Sequence, residues 1–359
     1  MISVIIFILV LGIIILVHEW GHFIAAKKSG LIVEEFGFGF PPRIFSIKKG
    51  GTVYSLNLLP LGGFVKILGE DGSQNENNNS FSAKSVGIRS LVTVSGVFMN
   101  FLLAVFLLMV GFNIGLPQII NKDNEQLAKN VEIQIIAVNN GSPAEGAGIK
   151  MGDAVKYLRV DGKNIAIGEI STLQNIIENN KDRELVISLK RGSKTLEVNA
   201  TPRANPPEGE GPLGIALAKT GIISYPWYES AWLGIKSAFS ITWEIIKGFA
   251  NLFKNLLFQG RIPQELSGPV GIAVLTNQAA NLGFIYLLQL VAIVSLNLTI
   301  LNLLPFPALD GGRLLFLGIE KIKGSKVNPK IENAFHSIGL VLIFVLFILL
   351  TYRDILRLN

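Results

Sequence analysis

The chain has no cysteine, only three histidines and little charge. Without cysteine neither a disulfide framework nor a thiolate metal site exists, so any metal must be held by His, Asp or Glu. Charged residues make up 16% of the 359 positions, against about 25% in an ordinary soluble domain. Hydrophobic residues make up 50% and the mean hydropathy is +0.48. That excludes a disordered chain and argues against a soluble globule of this length. The net charge of +6 is not gathered with aromatics along a soluble face, so no nucleic-acid partner is expected. Lys and Arg loops at a membrane surface account for the surplus.

What the sequence does contain is long apolar runs. Ile2 to Val17 is unbroken and leads into His18-Glu19-Trp20-Gly21-His22, then Phe23 to Ala26 ahead of Lys27-Lys28. It lacks the basic start and cleavage site of a signal peptide, and with the polar pentad it is long enough to cross a bilayer. Leu91 to Gly115 reads as a second span, Leu282 to Leu304 as a third and Asn333 to Tyr352 as a fourth. Ser267-Gly268-Pro269-Val270-Gly271 reads as a loop or re-entrant chain ahead of the third. Lys27, Lys28, Arg43, Lys48, Lys49, Lys66, Lys84 and Arg89 lie between the first two spans, and Arg313, Lys321, Lys323, Lys326 and Lys330 between the last two. Positive residues in short loops mark the cytoplasmic side, which sends both termini and the segment Pro117 to Leu266 outward.

Two further stretches differ in character. Val131 to Pro202 has ordinary soluble composition. Val131 to Ile135 alternates like a strand, Asn140-Gly141-Ser142-Pro143 is turn chemistry, Ile170 to Asn179 suits a short helix, and Leu185 to Val198 suits a hairpin. This is a small mixed α/β module with Asn205-Pro206-Pro207-Glu208-Gly209 as its exit linker. From Ala231 to Phe258, Trp232, Ile235, Phe239, Trp243, Ile246, Phe249, Phe253 and Leu257 recur at helical steps among Lys and Glu. That pattern suits an amphipathic helix lying in a bilayer interface, or one packed on the soluble module.

The chemistry concentrates in the pentad. In H-E-x-x-H, His18 and His22 share one helix face and can hold one zinc, with Glu19 beside them as the base for water. Two of the three histidines sit here, at the end of a span, where ionisable groups are costly and usually functional. A hydrolytic zinc site needs a third protein ligand. Asp310, in Leu303-Leu304-Pro305-Phe306-Pro307-Ala308-Leu309-Asp310-Gly311-Gly312, is the outstanding carboxylate at the same membrane depth. On residues alone it reads either as that ligand or as the N-cap of a helix beginning near Arg313. Such a site points to peptide hydrolysis within a membrane, where the substrate must be unwound before its carbonyls can be attacked. Asn302 offers a side-chain amide to extended backbone. The stretch Gly37-Phe38-Gly39-Phe40-Pro41-Pro42 with Thr52 to Leu56 offers a strand edge, or is an ordinary hairpin. His336, the remaining histidine, reads as an interfacial residue of the fourth span.

Together these residues resemble the site-2 protease family of intramembrane zinc metalloproteases, most of all its bacterial regulator-of-sigma-E type with a PDZ insert. The resemblance covers nearly the whole chain. His18-Glu19-Trp20-Gly21-His22 matches the first motif, and Asn302-Leu303-Leu304-Pro305 through Leu309-Asp310-Gly311-Gly312 the second. It implies that Asp310 is the third zinc ligand and that Asn302 and Pro305 help hold substrate. Gly37-Phe38-Gly39 and Pro60 to Lys66 are similar to the family's membrane-re-entrant β-loop, and Gly96 with Asn100 fits its G-x-x-x-N spacing, although Val97 stands where proline often follows. Gly141 to Ile149 with Gly152-Asp153 looks like a bacterial PDZ domain, which implies capture of an extended peptide or a size filter on substrates.

The expected organisation is a polytopic α-helical membrane protein of about four transmembrane helices, with a membrane-associated β-loop and an inserted α/β PDZ domain. The boundaries are a first transmembrane helix with HExxH at 1–26, a cytoplasmic and re-entrant β-loop region at 27–89, a second transmembrane helix at 90–116 and an extracytoplasmic PDZ domain at 117–204. A linker, the amphipathic helix and the SGPVG segment follow at 205–281. A third transmembrane helix with the second motif occupies 282–312, a cytoplasmic loop 313–332, and a fourth transmembrane helix with tail 333–359. The expected activity is that of a zinc metalloendopeptidase of the bacterial inner membrane that cuts single-pass membrane proteins. An anti-sigma factor or a signal-peptide remnant would be a typical substrate. The alternatives are a membrane-anchored PDZ scaffold and a zinc transporter.

Overall fold

The computed structural model describes residues 2–70, 77–121, 124–160, 162–192, 194–259 and 268–358; Ser267 of the SGPVG segment and Asn75 of an asparagine-rich loop lie outside them. The chain divides into two units, Met1–Met109 with Ala231–Asn277 and Leu288–Asn359, and Val110–Ser230 with Gln278–Leu287.

The first unit is built on helices. In chain order these are α1 (Ile2–Lys28) and α2 (Val86–Ile114), which runs on into the second unit, then α5 (Trp227–Gln259), which starts in it, α6 (Pro269–Leu282) and α7 (Phe284–Leu303), which give Gln278–Leu287 to it, and α8 (Asp310–Lys323) and α9 (Pro329–Leu358). Among the described residues four helices are long and apolar enough to cross a membrane: Ile5–Lys28, Val86–Ile114, Phe284–Leu303 and Pro329–Leu356. The chain between the SGPVG segment and the third span breaks at Gly283, whose φ of +131° is open to glycine. α6 therefore ends before α7 starts.

Two long strands, β1 (Val33–Lys49) and β2 (Thr52–Ile67), fold into a sheet beside α1. Lys48 lies opposite Val53 at the hairpin end, whereas Gly37 lies opposite both Ser55 and Phe64. The first half of β1 is thus flanked on both sides by the two halves of β2. Gly63 to Ile67 forms a margin that pairs with no further strand among the described residues. The base of the sheet is fixed by an apolar cluster of Ala26, Leu31, Val33, Ile67 and Val92.

α5 packs on α2 where Gly234 brings the backbones together, since a Cβ there would lie 2.9 Å from the Met109 nitrogen. Its Trp232, Phe239, Trp243 and Phe253 stay exposed. From Ala231 onward the helix belongs to the first unit. The start of α6 is held by Asp354 near the end of α9. Its buried carboxylate accepts from Gly268 N at 3.2 Å and Gly271 N at 2.7 Å, and Pro269 fills the first helical position, where no amide is needed. The Gly-Pro-Val-Gly run is therefore a helix start capped from another span.

The second unit holds β3 (Leu116–Ile119), β4 (Lys129–Val138), α3 (Pro143–Gly146), β5 (Ala154–Val160), β6 (Lys163–Ala166), α4 (Ile170–Asn179), β7 (Leu185–Arg191), β8 (Lys194–Ala200) and β9 (Ile215–Ile223). The strands form one sheet in the order β3-β9-β4-β5-β7-β8, with β6 on β5. Ile133, Ile135, Leu158, Leu173, Ile177, Leu185, Ile187 and Leu189 make its core, inward-facing positions of alternating strands and of the apolar face of α4. Ser142 caps α3 by accepting from Glu145 N at 3.2 Å, while the Glu145 carboxylate reaches back to Gly141 N at 2.6 Å, a variant of the capping box. The helix expected at Ile170 to Asn179 and the hairpin after Leu185 both form.

Candidate metal centre

His18 and His22 lie one turn apart near the end of α1, so their rings share a face. Asp310 comes from the first turn of α8. The Nε2 atoms of the histidines are 3.2 Å apart, and Asp310 Oδ2 lies 3.1 Å from His18 Nε2 and 3.4 Å from His22 Nε2. Three ligands at about 2.0–2.1 Å from a tetrahedral zinc stand roughly 3.3 Å apart, so this triangle already has the right edges.

The surrounding contacts fit a metal as well. Asp310 Oδ2 is buried and has no hydrogen-bond partner, an arrangement that is costly unless a cation satisfies it. His22 Nδ1 donates to Val92 O at 2.8 Å, which places the free lone pair on Nε2, toward the other donors. His18 Nδ1 faces the Asn100 amide at 3.5 Å, and Asn100 Oδ1 has no partner of its own. With the amide turned, that oxygen would accept from His18 and fix the second ring in the same sense. The spacing of Gly96 and Asn100 thereby acquires a physical reason. Asn100 faces His18, and Gly96 leaves room for His22, whose Nε2 a Cβ at position 96 would approach to 2.3 Å.

The N-cap of α8 is Leu309, without a side-chain cap, and Asp310 already lies within the helix. Its carboxylate lies against the two histidines and does not cap the helix.

Glu19 lines a cavity of about 180 Å³ together with His18, His22 and Asp310. The sheet contributes Gly63, Phe64 and Val65 to its wall, and a Cβ on Gly63 would meet Glu19 Cγ at 3.1 Å. Sequence reasoning placed the strand edge at Gly37 and Gly39. Gly37 is enclosed between paired segments, and the Gly39 carbonyl accepts from Asn57 Nδ2 at 3.1 Å. The unpaired margin beside the cavity is Gly63 to Val65. Asn302 is half-buried in the last turn of α7 and Pro305 is exposed in the turn after it; the cavity wall is formed without them.

Two charged wall residues escaped the sequence reading. Arg313 pairs with Glu70, and both line the cavity. Arg313 lies three residues after Asp310 on one helix, a spacing that puts both on one side and was the available signal. Arg89 and Glu320 form a second, largely buried two-pronged pair that ties the start of α2 to α8.

The site is thus a hydrolytic metal centre set among membrane-spanning helices. The model of Peptidase family M50 matches residues 6–346, and the chain belongs to that family, the site-2 proteases. It is 31% identical to the zinc metalloprotease RasP of Oceanobacillus iheyensis, covering 100% of both chains. It is also 31% identical to the regulator of sigma-W protease RasP of Bacillus subtilis, over 99% of each. A putative zinc metalloprotease of Clostridium perfringens is 34% identical, over 96% of this chain and 95% of that one. The protein is a multi-pass membrane zinc metalloprotease.

Proposed function

We propose that the protein is an endopeptidase that cuts single-pass membrane proteins within or near their transmembrane segments. The observation that carries this reading is the His18, His22 and Asp310 triangle beside Glu19. His18, His22 and Asp310 hold the metal. Zinc bound there supplies a Lewis acid for the scissile carbonyl and lowers the pKa of water toward ~7. Glu19 takes the proton from the attacking water and delivers it to the leaving amine. The Gly63 to Val65 margin, unpaired on its cavity side, holds substrate as an added strand, so that its carbonyls are free of helical bonds. Asn302 and Pro305 follow the metal-site loop's approach and serve the neighbouring substrate residues. Gly37 and Gly39 act from within the sheet, by allowing its close-packed geometry.

The PDZ domain expected at 117–204 lies within the second unit, and because β9 (Ile215–Ile223) is paired between β3 and β4, the domain is proposed to run on through that strand instead of ending at 204. It is proposed to face outward and to receive a peptide or screen the size of the substrate's outer segment; the remaining boundaries proposed are those set out from the sequence. The exposed aromatic face of α5 is proposed to lie in the bilayer interface. The placement is the bacterial inner membrane, with both termini outward. The name of the B. subtilis relative, a regulator of sigma-W protease, supports a regulatory substrate such as an anti-sigma factor.

The test is a paired cleavage assay in liposomes with a tagged single-pass helix bearing a short outer segment. Wild type should cut it, and a zinc chelator should stop it. Glu19→Gln should abolish cleavage while zinc stays bound. Cleavage by Glu19→Gln at the normal rate would remove Glu19 as the base. Bound zinc with no cleavage of any substrate would favour the PDZ scaffold.

A further inference from the structure

The loop that delivers Asp310 is gripped by α9, a helix otherwise exposed along most of its apolar length. Ala308, two residues before Asp310, has φ of +67°, in the left-handed region that an L side chain rarely adopts. Its amide donates to His336 Nδ1 at 2.9 Å. One turn further along α9, Gly339 lies so close to Pro307 that a Cβ there would come 2.0 Å from the proline's Cβ. His336 Cε1 also stands 3.3 Å from where a Cβ on Gly312 would be, on the other side of Asp310. The ring is held edge-on to Phe335 at 5.7 Å and tilted to Phe316 at 6.1 Å. The loop closes on itself through Leu309 N, which donates to Phe306 O at 3.3 Å across a turn with Pro307 and Ala308 at its centre; from outside the loop it is His336 that takes up the Ala308 amide, while the N-cap of α8 has no side-chain bond.

We infer that His336 is a positioning residue for the third zinc ligand. By accepting from Ala308 N it holds that residue left-handed and so sets the place of Asp310 in the donor triangle. Accepting at Nδ1 requires a neutral ring with its hydrogen on Nε2. Gly339 lets the ring come this close by giving Pro307 room. The inference rests on Asp310 being a zinc ligand. It makes the last span part of the metal site without contributing a ligand.

Zinc affinity of the full-length protein in detergent, measured by competition with a graded chelator, tests this, with thermal unfolding of the metal-stripped protein as the companion readout. His336→Ala should weaken zinc retention about 10- to 100-fold, the usual loss for a partner behind the ligands, more than it moves unfolding of the stripped protein. His336→Asn puts an acceptor oxygen where Nδ1 stands and should hold zinc close to the wild-type level. His336→Gln places its acceptor one bond further out and should behave like the alanine variant. Should His336→Ala fail to fold, the Asn and Gln pair carries the comparison. Wild-type zinc retention by His336→Ala, or equal loss in the Asn and Gln variants, overturns the inference. Asp310→Asn is measured alongside: if it too keeps zinc, the ligand assignment is what fails.

Discussion

Gly96→Ala would put a methyl group 2.3 Å from His22 Nε2 and 2.7 Å from its Cε1. Non-bonded carbon contacts settle near ~3.5–4.0 Å, so the ring or the helix must yield by more than about 1 Å. The ring cannot turn away without breaking its 2.8 Å bond to Val92 O. The helices cannot readily part either, because Gly21 packs on the Ser95 carbonyl as closely as Gly96 does on His22. Metal–ligand distances tolerate only about ±0.2 Å. We expect zinc affinity to fall roughly 10- to 100-fold and cleavage about 100-fold, the scale of a 1 Å misplacement. Gly87, in the same helix with nothing near its missing Cβ, is the control, and Gly87→Ala should leave both unchanged. The assay is chelator competition followed by cleavage of a liposome-borne substrate. Gly96→Ala binding zinc and cutting as wild type does would refute the close-contact reasoning.

Asp354→Ala removes the acceptor for two amides at the start of α6 and should cost about 1–3 kcal/mol, the price of a buried group left unpaired. Thermal unfolding in detergent reads it, with Asp354→Asn losing less; an unchanged midpoint would show that other groups cap the helix. In the second unit, partial burial works to raise the Glu132 carboxyl, but hydrogen bonds from Lys156 and Lys190 outweigh it and hold it below its ordinary value. A carboxylate depressed in the folded state stabilises fully above its unfolded pKa near 4.5 and loses that contribution as pH falls below it. Amide hydrogen exchange in β4, β5 and β7 should therefore quicken with acid in the wild type, and Glu132→Gln should bring that quickening to neutral pH. Identical exchange profiles for the two proteins would show that the pair contributes nothing.

Much of the site was legible because its chemistry is local. The H-E-x-x-H spacing needs only a helix to bring two imidazoles together, and the apolar runs declare their own length. What stayed hidden depends on residues far apart in the chain. Arg89 and Arg313 read as loop charges, yet their partners Glu320 and Glu70 lie 231 and 243 positions away. His336 read as an interfacial residue because nothing near it in sequence says that Ala308 will need a hydrogen-bond partner. The edge beside the cavity was misplaced for a related reason. Alternation identifies a strand but not which half of a long, doubled-back strand keeps an open edge, and among the described residues that edge is on Gly63 to Val65, whose other side pairs with Phe36 to Phe38. Asp310 stood between cap and ligand because the sequence does not say that Leu309 is the N-cap of α8 and Asp310 its first residue.

The donor triangle joins the first helix to α8, so a metal held there would also be a staple across most of the polypeptide. Binding that belongs only to the folded state adds to folding stability, and stripping the metal should therefore loosen the bundle as well as stop the chemistry. The staple also frees what lies inside it. The entropy of closing a loop grows with the logarithm of its length, about 0.6 kcal/mol per doubling. The exposed loops between α2 and α7 can thus be lengthened at small thermodynamic cost while the ligands stay where they are. The alignment to the O. iheyensis relative runs over 445 positions, well beyond the 359 residues of this chain.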